Sequence, residues 1–413
     1  MLNSKSEREL AYVVLVDKIE PIIGSDNCEA ATVGGWKVMV RKNVFHVGDL
    51  AIYFEIDSRV DCSRKEFAFM DKYNGKVKTQ KYTFGGKGNF VSQGLLMHAE
   101  DFGWKNAIDA DGHPLIYDAN DNSRFWYADG EDRFLTKELG VTYADDADNK
   151  RKVNSGDKYK AMAARRPNIF RKKWARWLMK REWGRKLMFF FFGKKRDKKD
   201  GWPSWVQKTD EERVQNMPWI LEDKGEWVVT EKIDGTSTTF TMKRSKFGKN
   251  KMYVCSRNVC FDTVDKPCYY DTNVYWEMAK KYNIYDVLSK LLDRFTNAEW
   301  VTIQGETYGE GIQKRNYSLK GHEFAIFNLI TSDKGRLGTK EMVYELGNIC
   351  DVPCVPILNT ITFDGLTVEK LLEMADGNSV IDGLPREGFV LRSLDGARSF
   401  KAVSNNYLLK YHQ

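Results

Sequence analysis

Residues 11–60 contain runs too short for a membrane span or a long helix and too apolar for a loop. "AYVVLV" (11–16), "WKVMV" (36–40) and "LAIYFEI" (50–56) are β-branched and aromatic, and "GSDN", "GG" and "VGD" separate them. Such runs read as strands that reverse direction at each turn cluster. "FVSQGLLM" (90–97) offers a further strand. Short strands at this spacing are best satisfied by closing the sheet on itself, so the pattern predicts a small barrel such as an OB-fold within residues 1–150. Residues 100–150 are polar and turn-rich and give weak signals.

The rest of the chain reads differently. From about 204 to 413, strand-like runs ("EWVVTEKI", "EWVTIQGETYG", "EFAIFNLI", "EGFVLRS") mix with helical stretches at 274–293 and 366–375. That mixture predicts an α+β chain, its second domain built from largely antiparallel sheets and helices. Between the two lies a basic, aromatic segment, 151–203. Residues 151–200 hold 19 Lys/Arg against 4 Asp/Glu, so with +7 overall the remainder of the chain is net −8. Charge concentrated in one segment points to a local polyanion contact. Within it, Phe170, Trp174, Trp177, Leu178 and Arg181 fall at helical spacing.

Several classes are disfavoured. "LMFFFF" (187–192) is far shorter than the ~20 apolar residues of a membrane helix. "MLNSKSEREL" lacks the basic-then-apolar pattern of a signal peptide. The seven cysteines are scattered, with no C-x-x-C pair, which argues against a disulfide framework or zinc ribbon and for a reducing, cytoplasmic setting.

The chemistry centres on "VVTEKIDGTSTTF" (228–240). Lys232 follows a hydrophobic run, Asp234 projects from the same side of an extended chain, and Gly235 permits a tight turn or close backbone approach. A lysine becomes a nucleophile when a nearby cation or desolvation lowers its pKa. Attack on an α-phosphate also needs charge neutralisation, which a metal held by carboxylates supplies. Alone, K-x-D-G is a weak signal, and an ordinary strand-end lysine accounts for it equally well.

The order of the downstream motifs is more specific. "CSRN" (255–258), "IQGETYGEGIQKRNY" (303–317), "FAIFNLI" (324–330), "EGFVLRS" (387–393) and "SFKAVSNNYLLK" (399–410) come after "EKIDGTS". This series resembles the covalent nucleotidyltransferases: ATP-dependent DNA ligases, RNA ligases and mRNA capping enzymes. Gly235-Thr236-Ser237 is similar to the G-T-N/S of RNA ligases, where DNA ligases and capping enzymes carry Arg two residues after the glycine. "GEGIQK" resembles the phage T4 nick-sealing type. The N-terminal stretch from "PIIGSDNCEAATVGG" onward, with "KTDEERVQN" (208–216), resembles the Naegleria/Deinococcus type of RNA ligase, which places an OB domain before the nucleotidyltransferase domain. The chain ends a few residues after the last motif, so no further C-terminal domain is expected.

The resemblance implies roles. Lys232 is expected to accept AMP, with Glu231 contacting the adenosine. Asp234, Glu306 and Glu387 are expected to hold a Mg²⁺ or Mn²⁺ ion, directly or through water, Glu306 also lying against the nucleotide; taken singly, each could equally be a salt-bridge carboxylate. Arg257, with a donor fork suited to phosphate, is expected at the nucleotide, and Phe327 on the adenine ring. Asn328 stands where T4-type relatives commonly have Asp. Gln313 and Lys314 are expected at the rim or in a plain loop. Lys401 matches the last motif's lysine, expected to contact the α-phosphate. Two residues on, where the T4 type has a second lysine, stands Val403, so Lys410 or a barrel residue would have to supply that charge.

The implied reaction uses ATP and joins an RNA 3′-OH to a 5′-phosphate, in a nicked duplex or a single strand, through lysyl-AMP and RNA-adenylate, as in RNA repair. The alternatives are a DNA ligase, a GTP-dependent capping guanylyltransferase, and an inactive RNA-binding module. Segment 151–200 is expected either to contact RNA or to pack its aromatic stripe on a neighbouring domain, with a membrane-surface helix as a weaker option.

Overall fold

The computed structural model describes residues 1–144 and 202–411, apart from 209, 246, 262, 265–267 and 271, together with Leu178, Arg181 and Met188. The expectations for segment 151–200 therefore lie outside the described residues, those three excepted.

The strands expected at 11–16, 36–40 and 50–56 form where the sequence places them, whereas the run 90–97 divides at Gly94 (φ 113°) into two strands of different sheets. Ala11–Leu15 pairs antiparallel with Leu50–Phe54, which pairs with Leu95–Met97; Lys18–Pro21, Cys28–Val33 and Trp36–Arg41 make a second three-stranded sheet. A hairpin, Thr79–Thr83 with Asn89–Gln93, lies against Trp36–Arg41. Tyr12, Val14, Val33, Trp36, Val38 and Tyr53 fill the interior of this barrel. The weakly patterned stretch after residue 100 is ordered too. Trp104–Ile108, Pro114–Asp118 and Asp121–Tyr127 form an antiparallel meander that drives Trp104, Ile116 and Trp126 into the core around Phe54 and Phe67. Its polar residues occupy the solvent side, so only every second position or fewer carries the buried signal.

The C-terminal part has two sheets. Trp227–Glu231 is flanked by Ile357–Ile361 and Gly388–Ser393, and Ser399–Val403 completes four antiparallel strands. Trp227, Phe363, Phe389 and Phe400 pack on one side of this sheet with the helix Val368–Ala375, capped by the Thr367 hydroxyl. The second sheet has six strands, with Thr236–Lys243 between Lys251–Ser256 and Trp300–Gly309, and His322–Thr331 beyond. Its strands alternate: Phe240, Met242, Val254, Val301 and Ile303 face a core shared with the helices Val274–Lys281 and Ile284–Arg294. The sequence reads residues 274–293 as one helix. The structure breaks it at Asn283, which takes a left-handed conformation (φ 46°), a region asparagine tolerates better than most residues.

The barrel and the C-terminal part meet through specific contacts. The Arg8 guanidinium pairs with Glu55 and with Glu212, each at 2.6 Å. Val91 of the barrel hairpin packs against Val403 and Leu408. No helix among the described residues is long and apolar enough to cross a membrane.

Candidate functional site

The motif "EKIDGTS" is a crossover between the two C-terminal sheets. Glu231 ends the central strand of the four-stranded sheet, and Thr236 begins a central strand of the six-stranded sheet. The intervening Lys232–Gly235 turn therefore lies in the cleft between them. Its backbone is held at both ends: the Lys232 N–H donates to the Gly388 carbonyl at 3.1 Å, and the Asp234 N–H donates to the Tyr317 hydroxyl at 2.6 Å. Gly235 is required by close approach, since a Cβ there would sit 2.3 Å from the Thr307 carbonyl oxygen.

A cavity of about 320 Å³ opens on this turn. Its lining contains Glu231, Lys232, Asp234, Arg257, Glu306, Phe327 and Lys401. Glu387 joins them through its carboxylate, 2.7 Å from the Lys232 ammonium. The residues singled out in the sequence, spread over 171 positions from 231 to 401, thus converge on one cleft. Register explains part of it: Ser237 faces Glu306 across one ladder, and Lys401 faces Val390 across another.

The electrostatics are those of crowded carboxylates. Burial pushes the Glu306 carboxyl up to about 8, with Lys232 opposing and Glu387 and Asp234 adding to the rise. Burial likewise raises Glu387, against the pull of Lys232. For Lys232, burial favours the neutral amine, but Glu387, Glu306 and Asp234 together outweigh it and hold the ammonium above its ordinary pKa. Burial alone therefore does not activate this lysine. Lys401 is shifted the other way, by burial first and then by the neighbouring charges of Lys232 and Arg213.

Glu231 is almost wholly buried. One carboxylate oxygen accepts the Val380 N–H at 2.9 Å, while the other has no partner among the described residues. Phe327 lies half-buried in the wall, its ring centroid 5.8 Å from the Arg392 guanidinium carbon. Arg257 is exposed at the mouth and pairs with Asp210 at 2.5 Å. Asn328 turns out of the cavity, donating to the Gln304 side chain at 3.1 Å. Gln313 reaches the Gly235 carbonyl at 3.1 Å from the rim, whereas Lys314 is exposed and not part of the lining. Val403 lies in the apolar contact with Val91 and Leu408, and Lys410 is exposed with its ammonium 5.2 Å from the Tyr411 ring.

Further residues gain a place that sequence reasoning did not give them. Arg213 forms a parallel bridge beside Lys401 and stacks 5.5 Å over Trp36 of the barrel. Arg392, buried, reaches Thr230 and Glu211. Tyr407, on the last helix, donates its hydroxyl to Asp234 at 2.5 Å, and Tyr317 holds the same residue's backbone. The Arg315 guanidinium lies 4.1 Å from the Tyr317 ring centroid and 5.9 Å from that of Tyr407. "KTDEERVQN" is the sequence signal for Arg213, and Tyr317 and Tyr407 fall within "IQGETYGEGIQKRNY" and "SFKAVSNNYLLK" without being singled out there.

Comparison with known proteins places the fold. A family model described as RNA ligase matches residues 225–412, and an OB-fold domain model matches residues 10–98. No curated protein sequence matches. Among solved structures, the RNA ligase of Naegleria gruberi with pyrophosphate is 26% identical, with a TM-score of 0.59 over 98% of this chain and 99% of that one. A variant of that ligase with ATP and Mn is 27% identical, with a TM-score of 0.60 over 98% of this chain and 100% of that one. Another variant, with AMP and Mn, is 26% identical at a TM-score of 0.60, covering 98% and 99%.

Proposed function

We propose, for a chain whose residues 225–412 belong to the RNA ligase family and follow an OB-fold domain at residues 10–98, that it seals RNA with ATP, joining a 3′-OH to a 5′-phosphate in the repair of broken RNA. The observation that carries this reading is the Lys232 ammonium at the base of a 320 Å³ cavity beside Phe327, Arg257 and Lys401. An adenine fits against Phe327, its ring faces offering stacking area. The unpartnered Glu231 oxygen suits a donor such as the 6-amino group of adenine, where guanine carries a carbonyl.

In the first step the Lys232 nitrogen attacks the ATP α-phosphorus and pyrophosphate leaves. The AMP then passes to an RNA 5′-phosphate, freeing Lys232, and the 3′-OH displaces AMP. All three are displacements at phosphorus, so positioning and charge neutralisation carry most of the catalysis. Lys401 supplies positive charge at the phosphate being transferred, and Arg257 orients phosphate oxygens from the mouth. Arg213 takes the place of the lysine that Val403 does not provide: it is half-buried, bridges to Lys401, and feels the Glu387 charge.

A divalent cation fits the donor set. Three carboxylates face one ammonium, and burial, with Glu387 and Asp234 adding to it, raises the Glu306 carboxyl to about 8. Oxygen-only donors suit Mg²⁺ or Mn²⁺. Held by Asp234, Glu306 and Glu387, such an ion would offset their charge, and Lys232 would then lose its proton more readily. Asp234, Glu306 and Glu387 orient it, and the Tyr407 hydroxyl fixes Asp234.

The test is sealing itself. A 5′-phosphorylated RNA with a 3′-OH, given ATP and Mg²⁺ or Mn²⁺, should become a longer or circular product. A nicked substrate lacking the 3′-OH should accumulate RNA-adenylate instead. Sealing of DNA alone, or transfer of GMP to a diphosphate end, would overturn this reading.

A further inference from the structure

The six-stranded sheet has a second face. Phe240, Met242, Val254 and Val301 point into the core, so Thr241, Lys243, Tyr253 and Lys251 point the other way. Across this outer face lies the segment 202–208. It is pinned by Trp205, whose indole N–H donates to the Thr241 hydroxyl at 3.5 Å, and by the Gln304 side-chain amide, which donates to the Gln207 carbonyl at 2.8 Å. The result is an array in which aromatic rings alternate with lysines. Lys208 lies 5.7 Å from the Trp202 ring centroid, Lys243 5.0 Å from Trp205, and Lys251 4.6 Å from Tyr253, while Trp205 and Tyr253 meet edge to face at 5.4 Å.

Two features bear on what this face meets. First, the three lysines are exposed, and among the described residues none of them pairs with a carboxylate; Lys208 bonds the Asn258 amide oxygen at 2.8 Å instead. Cations resting on aromatic faces can turn to phosphates without breaking an ion pair. Second, the array is continuous with the nucleotide cavity. Asn258 adjoins Arg257 at the cavity mouth, and a groove of about 920 Å³ walled by Trp205 and Lys208 shares Asp210 and Glu211 with that cavity. From Arg257 to Lys251 the strand direction spans about 20 Å.

We infer that this outer face is the track for a single strand of RNA whose end lies at the nucleotide cavity: Lys208, Lys243 and Lys251 meet its phosphates, and Trp202, Trp205 and Tyr253 offer surfaces to its bases. Interleaved aromatic and cationic side chains suit a single strand, whose bases are free to stack. The inference rests on the RNA-sealing reading above, and locates the substrate on that enzyme.

The test uses the full chain and a fluorescently labelled 12-nucleotide single-stranded RNA, with affinity measured across a salt series. Lys243→Ala/Lys251→Ala removes two phosphate contacts and should reduce the slope of log affinity against log salt by about 1.4, at about 0.7 per contact. Trp205→Ala should weaken binding about fivefold or more. Both variants should still form lysyl-AMP from ATP at the wild-type rate, because neither alters the nucleotide cavity. An unchanged slope and affinity in both variants would overturn the inference, as would wild-type protein that self-adenylylates but does not bind the RNA. Loss of lysyl-AMP formation in both variants, in step with RNA affinity, would also count against it. Wild-type protein that takes no AMP at all would instead refute the ligase reading on which it rests.

Discussion

Replacing Tyr407 by Phe should weaken the enzyme through Asp234. The hydroxyl donates to the Asp234 carboxylate at 2.5 Å from a side chain that is 4% exposed, while its ring packs on Tyr411 at 4.6 Å. Phenylalanine keeps the ring contact and deletes only the donor. A hydrogen bond to a charged group contributes about 1.5–3 kcal/mol net, which corresponds to a factor of about 10–150 in an equilibrium constant. Asp234 already faces Glu306 and Glu387, so an untethered carboxylate is expected to swing away from them. The cost should therefore appear as a higher Mn²⁺ concentration for half-maximal lysyl-AMP formation, by about tenfold or more, with a smaller change in the rate at saturating metal. The assay is single-turnover labelling of the protein with α-labelled ATP over a metal titration. A double-mutant cycle isolates the route, since Tyr407→Phe should cost little in an Asp234→Asn background. An unchanged metal requirement, or an equal loss in both backgrounds, would refute the reasoning.

Other outcomes follow from the same geometry. Glu306 stands near pKa 8 without metal, so at pH 7 metal binding should displace most of one proton, readable as a buffer-dependent binding heat; the release should fade as pH rises past 8 and vanish in Glu306→Gln. The raised carboxyl also binds a proton that the unfolded chain has lost between about pH 4.5 and 8, so metal-free protein should lose stability as pH rises through that window, and Glu306→Gln should flatten the loss in thermal melts. Val403→Lys should not restore a missing catalytic charge. It places an ammonium against Val91 and Leu408, and should lower the melting temperature without raising activity, as burying an unpaired charge does.

Much of the site was legible because its residues sit at strand ends and turns with fixed spacing. Lys232, Asp234 and Gly235 occupy one crossover between two sheets, where Thr307 leaves no room for a Cβ at Gly235. The barrel strands were legible for a related reason: their apolar runs are short and sharply punctuated. What stayed hidden depends on contacts far apart in sequence. Tyr407 reaches Asp234 across 173 positions, and Arg315 stacks on tyrosines from two segments; no local pattern encodes either. The meander at 104–127 was obscured because one side of it is polar. The state of Lys232 was also beyond the sequence, because it is set by the balance of burial against three carboxylates that only the fold assembles.

The central claim is that Lys232 carries AMP, and the mass of the protein tests it directly. After incubation with ATP and Mg²⁺ or Mn²⁺, wild-type protein should gain the mass of one AMP, located by peptide mapping to Lys232 and reversed by pyrophosphate, while Lys232→Ala gains none. A protein that gains no AMP, or a Lys232→Ala variant that gains it undiminished, would contradict the account.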